Sequence, residues 1–216
     1  MRSRADELIR TGRGLYLILT SPRLPHVDLA RAAVERGVPA VQLREKSMPD
    51  DELLALAVSV RDVTRGTDTL FIVNDRPDIA ASSGADGVHL GKDDTDVETA
   101  RELMGPGTIV GVSTRLPDEA EAAERVGADY IGIGPVFRTG TKPDALAPVG
   151  LSGLAAVTER VPGLPGVAVG GIAAEKAAGV LAAGARYVAV ISAICFADDP
   201  VAALDGFMKS MSGGSC

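Results

Sequence analysis

The segment 41–46, Val-Gln-Leu-Arg-Glu-Lys, places an amide, a guanidinium and an ammonium two positions apart. Side chains of an extended chain alternate between faces, so Gln42, Arg44 and Lys46 share one face and Glu45 takes the opposite one, where its role is structural. Arg offers a planar bidentate fork and Lys a compact charge; with Lys142 further along they form a cation set suited to a polyanion. Each charge-assisted bond would contribute roughly 1.5–3 kcal/mol. Asp75 and Asp94 supply carboxylates of the kind magnesium takes, one or two together with phosphate oxygens and water. Cations combined with Mg2+ point to a diphosphate. A second anion site is suggested by Gly170-Gly171 and the backbone after Ser192, where main-chain N–H groups can approach a phosphate closely. Two anion sites imply two phosphorylated substrates or one bisphosphate.

These residues acquire meaning from the elements that must carry them. β-rich runs at 15–20, 40–43, 70–74, 87–90, 109–113, 130–134, 167–169 and 187–191 alternate with helical stretches at 27–36, 49–65, 96–103, 117–126, 151–159 and 174–183. Asp28 is a candidate cap for the first of these helices. Glycine precedes a strand in Gly84-Ala85-Asp86-Gly87, Gly127-Ala128-Asp129-Tyr130 and Gly184-Ala185-Arg186-Tyr187, and Gly37 plays the same part earlier. Such repeated helix–Gly–strand units predict a single-domain (β/α)8 TIM barrel over residues 1–209. A doubly wound sheet would want a glycine-rich turn after the first strand, and that turn reads Thr20-Ser21-Pro22-Arg23-Leu24. Residues 210–216 read as a disordered tail.

In a barrel the C-terminal strand ends form the active face. Gln42, Arg44 and Lys46 stand at the end of the second strand, Asn74 and Asp75 at the third, and His89, Asp93 and Asp94 at or beyond the fourth. Ser113 ends the fifth, the loop 138–147 follows the sixth, Gly170-Gly171 ends the seventh and Ile191-Ser192 the eighth. Taken singly, Asn74-Asp75 and Asp93-Asp94 suit helix caps, Gly170-Gly171 a turn, Thr139-Gly140-Thr141 a polar loop and His89, with no Ser or Cys partner in view, a core histidine. Their recurrence in register on successive strands is what a shared site predicts.

The bulk properties narrow the partners. The chain has 216 residues and a formal net charge of −7 without a basic run, which disfavours nonspecific nucleic-acid binding. No apolar run reaches the ~20 residues of a membrane span and no signal peptide is visible at the N-terminus, so a cytoplasmic location is expected. Cys195 and Cys216 have neither metal nor redox spacing.

The chain resembles the thiamine-phosphate synthase family through VQLREK, FIVNDRPDIA, DGVHLGKDD, GVS, YIGIGPVFRTGTK, VGGI and ISAI, in this order from Leu15 to about Phe207. The resemblance implies a TIM barrel that joins 4-amino-2-methyl-5-(diphosphooxymethyl)pyrimidine to 4-methyl-5-(2-phosphooxyethyl)thiazole, releasing diphosphate. It implies that Gln42, Leu43, Arg44, Glu45 and Lys46, with Asn74, Ser113 and Lys142, bind the pyrimidine diphosphate, and that Arg44, Lys46, Ser113 and Lys142 are catalytic. Asp75 and Asp94 would hold Mg2+, while Thr139, Gly140, Thr141, Gly171, Ile191 and Ser192 would bind the thiazole phosphate. Asp93 is left as a helix cap or supporting group. The oligomeric state is not legible.

The implied reaction matches the residue types. Diphosphate leaves readily once its charge is neutralised, and an aminopyrimidine can stabilise the cation left behind. The thiazole nitrogen attacks through its own lone pair, so no nucleophile–base dyad is required, and none is visible in a chain with two histidines. Arg115 stands where many members have histidine. A related thiazole tautomerase uses that position for acid/base work, to which a permanently protonated arginine is ill suited. A noncatalytic phosphate-binding barrel is the remaining rival, and it would need neither the carboxylate pair nor three cations.

Overall fold

The computed structural model describes residues 4–140 and 147–212. Its elements run α1 (Arg4–Thr11), β1 (Gly14–Leu19), α2 (His26–Glu35), β2 (Ala40–Leu43), α3 (Asp50–Thr64), β3 (Leu70–Asn74), α4 (Pro77–Ser83), β4 (Gly87–Leu90) and α5 (Val97–Met104). They continue with β5 (Ile109–Thr114), α6 (Pro117–Arg125), β6 (Tyr130–Ile133), α7 (Gly150–Arg160), β7 (Gly166–Val169), α8 (Ala174–Ala182), β8 (Tyr187–Val190), α9 (Ser192–Cys195) and α10 (Pro200–Ser212). The strands pair in parallel and in sequence order, and β8 closes on β1, giving the expected TIM barrel.

Strand alternation sorts the side chains into two layers. Leu15, Leu17, Leu19, Val41, Leu43, Phe71, Val73, Val88 and Leu90 face outward and fill the space beneath the helices. Tyr16, Ile18, Ala40, Leu70, Ile72, Ile109, Tyr130, Val167, Tyr187 and Ala189 fill the interior, where Ala5 and Ile9 of α1 join them. The α1 helix thus plugs the barrel's N-terminal end, and Tyr187 fastens it by donating to the Ile9 carbonyl at 3.1 Å. The sequence reading assigned no helix to α1, α4, α9 or α10. The last of these carries helix through Ser212, so residues 210–212 are not tail; 213–216 lie outside the described residues.

The helix–Gly–strand repeat has a physical basis. Gly84 closes α4 at φ 69° and Gly127 follows α6 at φ 81°, a left-handed stop that L side chains resist. Two residues later an aspartate secures the strand beside it. Asp86 accepts from the Phe71 amide and from Arg61, each at 2.9 Å, and Asp129 accepts from the Val110 amide and from Arg101, each at 2.8 Å. This stitching at the N-terminal end leaves the opposite end of each strand free to carry the site.

The cap readings fail. The N-cap of α2 is Pro25 rather than Asp28, which lies inside the first turn. The N-cap of α4 is Arg76 and makes no side-chain cap bond, and α5 is capped by Asp96, whose carboxylate accepts from the Thr99 amide at 2.9 Å. Neither Asn74-Asp75 nor Asp93-Asp94 caps a helix, which leaves their side chains for other work.

Candidate active site

The segment after β2 behaves as the alternation rule requires. Gln42 points into the barrel and is buried, with its Nε2 donating to Tyr16 Oη at 2.9 Å. Arg44 continues the β1–β2 ladder, donating its amide to the Leu19 carbonyl at 2.9 Å and accepting from Thr20 Oγ1 at 3.0 Å. Leu43 sits in the outward layer, so only its backbone can reach a ligand in the mouth. The Glu45 carboxylate is engaged elsewhere: it accepts from the Ser21 amide and Ser21 hydroxyl and lies 2.7 Å from His26 Nε2. It anchors the β1–α2 turn, where Ser21 adopts φ 37°, and this is the structural role expected from its face.

Lys46 reaches across to the next strand, with Nζ 3.0 Å from Asp75 Oδ2. Asp75 follows Asn74 at the end of β3 and adopts φ 62°, a left-handed conformation that aspartate tolerates better than most L residues. Its amide donates to the His89 carbonyl at 2.8 Å, extending the β3–β4 pairing one residue past the strand. Asp94 closes back on the same place, with Oδ2 accepting from the Gly91 amide at 2.6 Å. A Cβ on Gly91 would stand 2.7 Å from Asp94 Oδ2 and 4.0 Å from Asp75 Oδ1, so the bare glycine edge makes room for both carboxylates.

Asp75 and Asp94 shift each other's ionisation in opposite directions. Desolvation would raise Asp75, but the hydrogen bond from Asp94 and then the Lys46 ammonium hold it below the usual carboxylate range. Desolvation and the facing Asp75 push Asp94 above that range. A hard cation between the two would relieve their repulsion, and oxygen-only donors fit magnesium. Among the described residues no group of three or more His, Cys, Asp or Glu side chains could hold a metal; the two aspartates therefore suit an ion that completes its shell from phosphate and water.

His89 overturns its core assignment. Its Nε2 lies 3.0 Å from Ser113 Oγ and its Nδ1 lies 3.0 Å from Tyr130 Oη. Ser113 is exposed in the mouth, so a Ser–His pair does exist, contrary to the expectation that the chain holds none. The pair joins β4 to β5: both side chains point inward, and His89 lies level with Gly111, two residues before Ser113. Period-two reading of both strands together would have found it. His89 Nδ1 is held by a phenol rather than by a carboxylate, so the pair lacks the orienting acid of a nucleophilic triad.

The second anion site is partly in view. Gly171 adopts φ 61°, and a Cβ there would lie 2.1 Å from the Arg138 carbonyl oxygen; at Gly170 it would lie 2.6 Å from Pro135 Cβ. The pair lets the loop after β6 close onto the end of β7, where the Val136 and Phe137 amides donate to Val169 and Gly170 at 2.9 Å. Ile191 precedes the short helix α9, which begins at Ser192. The backbone amides of Gly171 and Ser192 donate to no group among the described residues. Thr139 and Gly140 begin the same loop, whereas Thr141 and Lys142 lie outside the described residues. Arg115 donates through Nη2 to the Ala147 carbonyl at 2.9 Å, and its amide donates to Glu119 at 2.7 Å. It therefore pins the far end of that loop to β5.

Residues 15–194 match the family model described as thiamine monophosphate synthase. The thiamine-phosphate synthase of Moorella thermoacetica is 47% identical over 192 residues, covering 88% of this chain and 91% of its own. That of Chlorobium phaeovibrioides is 43% identical over 202 residues, covering 94% and 96%. Among solved structures, a thiamine phosphate pyrophosphorylase from Pyrococcus furiosus superposes with TM-score 0.86 at 40% identity, covering 96% of this chain and all of that one. A 3-hexulose-6-phosphate synthase, at 21% identity and TM-score 0.66, shares the fold alone.

Proposed function

The chain belongs to the thiamine monophosphate synthase family and acts as a thiamine-phosphate synthase, a transferase, and from this premise we propose how its residues divide the work. The reaction joins the aminopyrimidine methyl diphosphate to the thiazole phosphate, forming the C–N bond of thiamine phosphate and releasing diphosphate. The observation that carries the proposal is the opposed Asp75–Asp94 pair with Lys46 held on Asp75.

Asp75 and Asp94 would hold Mg2+, which when bound would supply positive charge against the diphosphate oxygens. Arg44 grips the diphosphate with its fork, and Lys46 and Lys142 add point charges, so that the leaving group departs as a neutralised ion. Gln42, Asn74 and Ser113 orient the pyrimidine, while the backbones of Leu43 and Glu45 continue that wall. Thr139, Gly140, Thr141, Gly171, Ile191 and Ser192 receive the thiazole phosphate through hydroxyls and main-chain N–H groups, bringing the thiazole nitrogen against the pyrimidine methylene. The carbon–oxygen bond breaks ahead of carbon–nitrogen bond formation, because the amino group feeds electron density to the methylene carbon. No proton leaves the thiazole nitrogen, so the Ser113–His89 pair has no deprotonation to perform there. Both substrates are small soluble molecules, consistent with work in the cytoplasm. Among the described residues no helix is long and apolar enough to cross a membrane.

Pyrimidines carrying electron-withdrawing substituents test the order of events. The account expects turnover to fall steeply as the ring becomes electron-poor; an unchanged rate across the series would reject a cationic intermediate.

A further inference from the structure

A row of five side chains runs beneath the mouth from β2 to β5. Gln42 Nε2 donates to Tyr16 Oη at 2.9 Å, and the Tyr16 and Tyr130 hydroxyls are 3.0 Å apart. Tyr130 Oη lies 3.0 Å from His89 Nδ1, and His89 Nε2 lies 3.0 Å from Ser113 Oγ. Neighbouring strands leave space for the row. A Cβ on Gly111 would fall 2.0 Å from Tyr130 Cζ, and one on Gly132 would fall 2.9 Å from His89 Cε1 and 3.2 Å from its Nε2. Two inward positions are thus kept bare where the ring systems pass.

Hydrogens can be counted along this row. Tyr16 and Tyr130 are buried, and burial holds both phenols well above their ordinary range, so each carries one hydrogen. The amide N–H of Gln42 occupies the acceptor side of Tyr16, so Tyr16 must pass its own hydrogen bond to Tyr130. Tyr130 then donates to His89 Nδ1, and a neutral imidazole accepting at Nδ1 donates from Nε2 to Ser113. The Ser113 hydrogen remains for the open mouth. With the Gln42 amide set this way, running the bonds in the opposite sense would leave the Tyr16 hydrogen in a buried floor facing another N–H, a bond left unmade. Turning over the amide would reverse every bond at once. The Gln42 amide oxygen accepts no hydrogen bond among the described residues, so one end of the row shows an acceptor and the other a donor.

We infer that Tyr16, Tyr130 and His89 are positioning residues that fix Ser113 as a hydrogen-bond donor and Gln42 as an acceptor toward the bound pyrimidine. A 4-aminopyrimidine presents a ring nitrogen lone pair beside an N–H donor, whereas a 4-oxopyrimidine presents a ring N–H beside a carbonyl acceptor. The polarised row therefore selects the amino form. This inference rests on the reading that Gln42 and Ser113 contact the pyrimidine.

Two measurements test it separately from that reading. With His26→Gln leaving one imidazole, nitrogen NMR of the ligand-free protein should place the His89 hydrogen on Nε2, and Tyr130→Phe should yield a mixture of tautomers. A hydrogen on Nδ1, or a tautomer indifferent to Tyr130→Phe, would overturn the polarity. In turnover, the preference of kcat/KM for the 4-amino over the 4-oxo pyrimidine diphosphate should fall about 10-fold or more in Tyr16→Phe and Tyr130→Phe, since a site built to hydrogen-bond a group loses discrimination when the bond is cut. Parallel loss for both substrates would reduce these residues to a structural role and overturn the inference. If the unmodified protein formed no condensation product, the functional reading would fail while the tautomer measurement still decided the relay.

Discussion

Lys46 Nζ and Asp75 Oδ2 lie 3.0 Å apart, so the ammonium at the end of β2 is clamped to the carboxylate at the end of β3. The clamp holds two components of opposite duty in one place. Under the proposed function, a diphosphate arriving with Mg2+ would offer Lys46 a new anionic partner and Asp75 a new cation, so the ion pair would hand over to two contacts without leaving either charge unpaired.

Asp75→Asn should lower kcat by about 100-fold or more, the scale seen when one preorganised electrostatic contact is removed from a transition state. The dissociation constant for the thiazole phosphate should stay nearly unchanged, because the residues proposed to receive it follow β6, β7 and β8, away from β3. Asparagine is preferred to alanine here because the φ of 62° would strain most other residues. Steady-state kinetics beside calorimetric titration of the thiazole phosphate decide it, and equal losses in both would remove Asp75 from the metal.

Asp94→Asn should make the metal-free protein at least as stable as the parent near pH 8. The folded-state pKa of Asp94 is raised, so its contribution to stability is present below the ordinary carboxylate range and is lost as pH rises through the raised value. Asp75 works in the opposite sense: its lowered pKa gives stability present above the ordinary range and lost as pH falls. Thermal melts in chelator should show these signs. Adding Mg2+ should then raise the Tm of the parent but not of the variant, by mass action on the folded state. A Tm gain of equal size in both would place the ion elsewhere.

Gly132→Ala should displace His89, since the new methyl would stand 2.9 Å from Cε1. Overpacking of this kind costs about 1–3 kcal/mol, and denaturant unfolding should register it. Turnover should fall further than stability alone accounts for, because Ser113 would lose the group that orients it. Full activity in a protein with normal unfolding would show that the barrel floor does not govern Ser113.

Arg115→Ala should free the Ala147 carbonyl from Nη2. A charge-assisted bond of this type is worth about 1.5–3 kcal/mol, so KM for the thiazole phosphate should rise about 10-fold with little change in kcat. An unchanged KM in the variant would show that the Arg115–Ala147 bond does not serve the thiazole-phosphate site.

The barrel was legible in the sequence because period-two runs and Gly-Ala-Asp turns recur along it, and the turns are tied to specific bonds such as Asp86 to the Phe71 amide. Part of the mouth was legible for the same reason: alternation turns Gln42 inward and Leu43 outward, and Lys46 meets Asp75 at the end of β3. What escaped depends on relations between strands. Nothing within 86–94 reveals that His89 meets Ser113, because that contact arises from the stagger of β4 against β5. Tyr16 and Tyr130 drew no assignment from the sequence, since a buried phenol declares its hydroxyl partner only when the facing strand is known. The α1 plug was hidden because MRSRADELIR reads as polar, while Ala5 and Ile9 suffice to seal a narrow barrel end.

The most direct measurement is diphosphate release on mixing the purified protein with both authentic substrates, with and without Mg2+. The account predicts release in step with thiamine phosphate formation, dependent on the metal and lowered about 100-fold or more in Asp75→Asn. Absence of release with both substrates and Mg2+ present, or release that proceeds equally well in chelator, would contradict it.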